Sequence, residues 1–391
     1  MTRDEVINVA LTRLTGSNAR TENRLRGLTV SAKCDSVENA LLYEVATDSV
    51  SLLLSGSKAC YPILGKYTTH HGPLLNRYDS LPGGLRTFLD GYVQQIAFCF
   101  ERDTIGLYYQ DVWDSLIGGI SLVRRDRNSI GPLMSTWWDQ KYCNGSINIG
   151  YEYDMPSGDT CEHCVAGCIA VVMGQVMNYW KHPVDMGWDM QFDWCNMSDK
   201  LDVNSPTFFQ NRSAISELLH DCGVKVNMDY HCEGSGARFD SIKPALVNNY
   251  GYSDDAEYVS KSRMSDGDWM SLLKQQIDMQ RPVIYSACGG QCHSFVCDGY
   301  GDDIYFNFNW GSGDVGNGSY LVSVLNPVFH GQNHFFANFH QALINIHPQD
   351  AIDICDRDVI LNEYYSSYQE EIASGALFPW RMLPVIVTNL T

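Results

Sequence analysis

Basic residues are scarce in this chain: 27 Lys and Arg stand against 46 Asp and Glu, a formal net charge of −19. A surface this acidic argues against nucleic acid or an anionic membrane as partner. No run of about eighteen apolar residues occurs, so no membrane-spanning helix is expected. A secretory leader is absent too. Met1 runs straight into TRDEVINVALTRL, where Thr2 and Glu5 make a T-x-x-E capping box before an apolar periodicity, the start of a domain. Charged residues are only 19% of the chain and hydrophobic ones 45%, which is a globular and not a disordered composition. With 391 residues the chain has room for one large or two to three smaller domains.

Cysteine, by contrast, is plentiful. There are fourteen, irregularly spaced, and a chain of this size can hold a core without disulfides. Several are expected to be small buried hydrophobes, Cys297 in FVCDG among them. One stands apart. In VAGCIAVVMGQVMNYW, residues 165–180, apolar side chains at Ile169, Val172, Met173, Val176, Met177 and Trp180 follow helical spacing. Cys168 falls in the first turn, where free backbone N–H groups and the helix dipole favour a thiolate, the nucleophilic form. Read by itself, Cys168 fits better a buried thiol of the kind cores commonly hold.

A second stretch, QCHSFVCDGYGDDIYFNFNWG from Gln291 to Gly311, places a histidine on a strand and ends a later strand in Asn309–Trp310. A cysteine nucleophile needs an imidazole to take its proton, and the imidazole needs an orienting partner. Cysteine first, histidine far downstream and Asn–Trp after it is the chain order of papain-like cysteine peptidases. A rival reading uses Cys161, His163, Cys164 and Cys168 as a metal or redox cluster. It lacks a second ligand pair at comparable spacing and lacks the βαβ setting of thioredoxin-type chemistry. A Cys161–Cys164 disulfide, or two free thiols, is expected there instead.

The words AGCIAVVMGQVMNYWKHP, FDWCNM, ISELLHDCGVKVNMDY, QRPVIY, HSFVCDGY, FNFNWGSG and GSYLVSVLNP, between about Pro132 and Pro348, resemble the C10 cysteine peptidase family. ENALLYEV, YPILGKY and LRTFLDGYVQQI resemble that family's prodomain. The resemblance implies an α+β, papain-like, two-lobed fold in which a helical lobe packs on an antiparallel sheet lobe, preceded by a small α+β prodomain. It implies a secreted or cell-surface cysteine endopeptidase made as a zymogen, with a secretory leader in place of Met1. Cys168 would be the nucleophile, His293 the general base, Asn309 the orienter and Trp310 a shield for their hydrogen bond. The oxyanion would be held by the backbone N–H of Cys168 and by His163. Trp194, Ser235, Gly236 and Cys292 would contact substrate. Cys292 stands where the family has glycine, and Ser312 where it has tryptophan, so specificity is where this chain departs. No cofactor or metal is implied, and the partners are protein or peptide substrates and the chain's own prodomain. A catalytically dead, binding-only relative is the remaining alternative.

In chain order, 1–127 reads as the prodomain. It holds a helix over 1–15, an antiparallel sheet over 28–66, a helix from Leu85 to Phe98 and an apolar–polar strand within 101–127. Arg124, Arg125 and Arg127 mark a solvated linker or the processing region, and the loop 68–84 is the candidate for blocking the site. The catalytic domain, 128–350, opens with Trp137, Trp138 and Gln140, which resemble the entry to the family's mature enzyme. Gly/Asn/Asp-rich loop fills 144–159. Helices follow over 165–180, 211–222 and 269–279, with a strand over 224–230 and a flexible loop over 231–238. Strands VIYSA, SFVCDGY, DIYFNFNW, SYLVSVL and QALINI complete it, helices before strands as in an α+β protein. Residues 351–391 read as a linker and the start of a C-terminal extension.

Overall fold

The structure, a computed structural model, describes residues 2–15, 28–68, 70–101, 109–120, 129–141, 150–183, 192–289, 291–301, 304–322, 328–329, 332–333 and 340–349. Helix α1 (Arg3–Thr15) opens on the capping box read from the sequence. The Glu5 backbone N–H donates to Thr2 Oγ1 at 3.3 Å, and the Thr2 N–H donates to Glu5 Oε2 at 2.8 Å. Three antiparallel connections follow: β1 (Thr29–Cys34), β2 (Ala40–Ala46), β3 (Val50–Ser55) and β4 (Ile63–Thr68). The first turn is tied by Asp35, whose carboxylate accepts the N–H groups of Val37 and Asn39. A 3₁₀ segment (Leu74–Ser80) leads into α2 (Gly83–Glu101). Of the apolar face the sequence offers on α2, Leu85, Phe88, Leu89, Tyr92 and Ile96 are buried and Val93 is half-buried.

Within 101–127 the described residues 109–120 hold a helix, α3 (Gln110–Ile117), with Trp113 and Leu116 buried three apart. Residues 102–108 and 121–127, over which the strand is otherwise expected, lie outside the described residues. The central helix α4 (Cys168–Trp180) ends at Lys181 in a left-handed conformation. Next come α5 (Phe208–Lys225), α6 (Ile242–Tyr250), β5 (Glu257–Ser260), α7 (Asp266–Asp278), β6 (Val283–Gly289), β7 (Gln291–Gly301), β8 (Tyr305–Asn309), β9 (Gly318–Leu321), a short hairpin of β10 (Val328–Phe329) and β11 (Gln332–Asn333), and β12 (Gln341–Ile344). The strand expected over 224–230 does not form: α5 runs on through Lys225, and only an isolated bridge joins Asp229 to Gly236.

The strands build one ten-stranded sheet in the order β1-β2-β3-β4-β9-β8-β7-β6-β12-β5, with every neighbour antiparallel. The pairing of β4 with β9 makes the N-terminal strands and the later strands one continuous sheet. Two hydrophobic clusters pack against it. One joins α1, α2, α3 and α7 to Tyr285, Phe295, Phe308 and Trp310 of the sheet. The other joins α4, α5 and α6 to Ile284, Val296 and Leu343. Along β7 the faces alternate, as a strand requires: Phe295 and Cys297 belong to the α2 side, Val296 to the α4 side. This is the α+β arrangement expected. No helix among the described residues is long and apolar enough to cross a membrane. Residues 124–127 and 351–391 lie outside the described residues.

Candidate active site

Gly167 makes the turn into α4. Its φ is +86°, a conformation disfavoured for residues with a Cβ, and a Cβ there would come within 2.8 Å of the Met228 side chain and 3.1 Å of the Ser235 carbonyl oxygen. Two backbone bonds fix the approach: Val165 N–H to the His231 carbonyl (3.2 Å) and Ala166 N–H to the Gln140 carbonyl (2.9 Å). Cys168 is thus held at the first position of the helix, directly after the Gly167 turn that packs beside Ser235. Burial pushes its thiol above the ordinary cysteine range. Hydrogen bonds from Ser294 and from the backbone N–H of Ile169 favour the thiolate but do not outweigh that burial. The expectation of a thiolate from the helix dipole alone is therefore corrected: desolvation is the larger effect here.

His293 lies on β7, opposite Ala287 of β6. Its ring is turned to the α2 side, where a Cβ on Gly83 would overlap it. A Cβ on Gly84 would lie 3.7 Å from the Cβ of His293 and 3.6 Å from the Trp310 ring. His293 and Trp310 are thus brought together, but around the start of α2. Burial lowers the affinity of the imidazole for a proton. Among the described residues no hydrogen bond or ion pair joins Cys168 to His293. The residue at Cys168 is Ser294, on the other face of the strand. The thiol is pushed up and the imidazole down, so both shifts oppose a thiolate–imidazolium pair in this state.

Asn309 does not orient His293 here. Its amide nitrogen donates to the Thr136 carbonyl (2.6 Å) and to Gln175 Oε1 (3.3 Å), and its oxygen accepts the Gly311 N–H (3.1 Å). It sits opposite Val296 in register and shares the α4 face with it. Gln175, fully buried, completes this network by accepting from Thr136 Oγ1 at 3.0 Å. His163 is committed elsewhere: Nδ1 lies 3.1 Å from the Met155 carbonyl, and the ring packs on Tyr153. The Trp194 indole N–H donates to the Pro183 carbonyl, in the chain that follows α4. Gln140 lies at the same turn as Ala166. Its backbone meets Ala166, two residues from Cys168, and the adjacent Asp139 carboxyl is raised to about 6 by burial.

The expected Cys161–Cys164 disulfide is replaced by Cys161–Cys232. Cys164 Sγ stays free, 3.9 Å from Cys161. These three sulfurs are the one metal-capable group found among the described residues, and two of them are bonded to each other. Cys168 and His163 stand outside it. The bridge spans 71 residues and, on chain entropy, stabilises by roughly 4 kcal/mol. Cys292 is bonded to Cys288 and exposed. Cys297 is buried as expected.

The segment after the arginine cluster is stapled to β7. Ile130 and Tyr300 exchange backbone bonds, Leu133 N–H donates to the Asp298 carbonyl, and Met134 N–H donates to the Asp298 carboxyl. Burial raises the Asp298 carboxyl to about 6. A group raised on folding binds its proton more tightly in the folded state, so its contribution falls as pH rises from 3.8 through 6. Relative to an Asp298→Asn chain, the wild type is expected to lose about 2 kcal/mol of unfolding free energy between pH 4 and pH 7. Urea titrations at both pH values read this directly, and a difference flat across the window would refute it.

The N-terminal segment is anchored on both sides of its contact with His293. Glu44, wholly buried on β2, accepts from the N–H groups of Leu74 (3.1 Å) and Leu75 (2.8 Å), from Ser51 and from the Tyr67 hydroxyl. His71 Nε2 lies 2.6 Å from Asp314 Oδ1 in the loop after β8. Tyr92 on α2 donates to the carbonyls of Leu64 and Leu321, bridging β4 and β9.

A cysteine at the start of a buried central helix, packed on an antiparallel sheet whose strand carries the histidine, defines the papain-like class of cysteine peptidases. The sequence model of the Peptidase C10 family matches residues 138–320, and this segment is a C10-family cysteine peptidase domain. Thiol protease/hemagglutinin PrtT of Porphyromonas gingivalis is 28% identical over 282 residues, covering 63% of this chain but only 30% of PrtT. Streptopain of Streptococcus pyogenes serotype M28 is 25% identical over 357 residues, covering 80% of this chain and 82% of streptopain. Among solved structures, a fragment of prointerpain A of Prevotella intermedia shares the fold with a TM-score of 0.60 at 19% identity, covering 82% of this chain and 99% of that fragment.

Proposed function

We propose that the chain is the latent form of a secreted cysteine endopeptidase, with residues 1–127 as inhibitory prodomain, 128–350 as catalytic domain and 351–391 as the start of an extension. The observation that carries this reading is the seating of Gly83 on the His293 ring, with Gly84 against Phe295 and Trp310, while Cys168 stays at the helix start beside Ser294. In the active form, His293 takes the Cys168 proton and the thiolate attacks the scissile carbonyl carbon. The imidazolium then protonates the leaving amine, and water, deprotonated by His293, releases the acyl group. The oxyanion is held by the Cys168 N–H and by the Gln140 side-chain amide, which replaces His163 in that role. Asn309 and Trp310 support the imidazole from the sheet side. The cut that frees the domain falls near Arg124, Arg125 and Arg127.

Intact-mass analysis and peptide mapping after reaction with an epoxide-type cysteine-peptidase inhibitor, before and after incubation under reducing conditions, test this. Labelling at Cys168 together with loss of the first 125–130 or so residues is the expected result. A binding-only relative has one observation in its favour, the separation of Cys168 from His293. It predicts no labelling even after an added protease has removed the N-terminal segment. In the processed enzyme, Gln140→Ala is expected to lower kcat by roughly 10²–10³ with KM little changed. A KM-only effect would place Gln140 in substrate binding instead.

A further inference from the structure

The β6–β7 hairpin carries the second disulfide, Cys288–Cys292, immediately before His293. The two cysteines are directly opposed in the ladder, followed by the pairs Ala287 with His293 and Ser286 with Ser294. A bridge across a separation of four residues, inside a hairpin already held by its ladder, removes little freedom from the unfolded chain; the Cys161–Cys232 bridge, with a separation of 71, removes far more. What the short bridge does fix is register. Strand faces alternate with period two, so a shift of one residue exchanges them. In the observed register His293, Phe295 and Cys297 face the α2 side, while Ser294 and Val296 face the α4 side, with Ser294 at Cys168. A one-residue shift at the start of β7 exchanges Ser294 for His293 at Cys168. The covalent link between opposed residues forbids that shift.

We propose that the Cys288–Cys292 disulfide positions His293: oxidised, it holds the imidazole on the α2 face, and reduced, it releases the start of β7 so that the imidazole reaches Cys168. This rests on the peptidase reading above. Cys292 is exposed and Cys288 only half-buried, so a reductant has access. The reductant is a low-molecular-weight thiol. Its thiolate attacks Cys292 Sγ, the S–S bond breaks, and Cys288 leaves as a thiolate and takes a proton. A second thiol attacks the mixed disulfide, and Cys292 is released and protonated. Two electrons and two protons enter the protein, and the two external thiols leave as their disulfide.

The test is the rate of Cys168 alkylation by iodoacetamide in the full chain at about pH 6, where an unassisted thiol is almost wholly protonated. Peptide mapping separates Cys168 from the other thiols. Three samples are compared: wild type without reductant, wild type after dithiothreitol, and a Cys288→Ser/Cys292→Ser double variant without reductant. The double variant leaves the Cys161–Cys232 bridge intact and so isolates the hairpin. Alkylation roughly tenfold or more faster in the second and third samples than in the first is expected. Adding His293→Ala to the double variant is expected to abolish the gain, which a merely structural bridge does not predict. A double variant as slow as untreated wild type, when the processed wild type hydrolyses peptides, overturns this proposal and leaves the peptidase reading standing. Slow alkylation in every sample, with a processed chain that hydrolyses nothing, overturns both.

Discussion

A Cys168→Ala chain, once its N-terminal segment has been removed, is expected to hydrolyse peptide bonds roughly 10⁶-fold more slowly than the wild type. Without the sulfur there is no acyl-enzyme, and the remaining oxyanion donors act only on direct attack by water, which is a weak residual route. The substitution removes one sulfur from a side chain that is not fully buried, so the fold should survive it, and unchanged urea unfolding is the control. A fluorogenic peptide assay on chains processed by the same added protease gives the comparison. The variant should also remain full length under reducing conditions in which the wild type shortens itself. Turnover within tenfold of the wild type would remove Cys168 from the reaction and return it to the buried thiols.

Much of this fold was legible because its signals are local. The α2 stripe follows the helical period, as do the apolar positions of α4, and the capping box of Thr2 and Glu5 sits where the sequence placed it. Strands β8 and β12 fall within words read as strands, and β6 and β7 contain theirs and run past them. What escaped depends on pairings between distant residues. Nothing near Gly65 says that it will lie opposite Tyr320, so the continuity of the sheet from β4 to β9 was invisible. Cys161 has Cys164 as its near neighbour in sequence, yet its bond is to Cys232, because the 229–236 loop packs beside Gly167. The site was half legible for the same reason. The motifs named Cys168 and His293, but which face of β7 carries the imidazole is a matter of register. Register is set by the Cys288–Cys292 pair and by α2 together, and neither is written in the word HSFVCDGY. Asn309 illustrates the limit from the other side: its identity matched the expected orienter, and its position opposite Val296 gave it to Gln175 and Thr136.

Phe88→Ala carries the largest expected cost to stability. The ring, 3% exposed, meets Phe295, Phe308 and Trp310 at centroid distances of 6.2, 5.2 and 5.4 Å, with Tyr320 and His340 at 6.1 and 5.7 Å. Removing such a ring from a filled core costs about 3–5 kcal/mol, since the lost transfer energy is joined by the cavity left behind. Apart from Tyr92 of its own helix, these ring partners lie on or beside the later strands, whereas Phe88 belongs to α2. The cost therefore falls on the contact between the N-terminal segment and the sheet. At about 1.4 kcal/mol per factor of ten, that loosens the seat of α2 by roughly a hundredfold or more. The same helix begins with Gly83 on the His293 ring, so loosening it uncovers the imidazole. Urea unfolding should show a lower midpoint with an unchanged slope, and epoxide labelling of Cys168 in the uncut chain should become faster. Both changes are required. A lower midpoint with labelling as slow as in the wild type would mean that α2 stabilises the sheet without guarding the site, and that the latency lies in the β6–β7 hairpin alone.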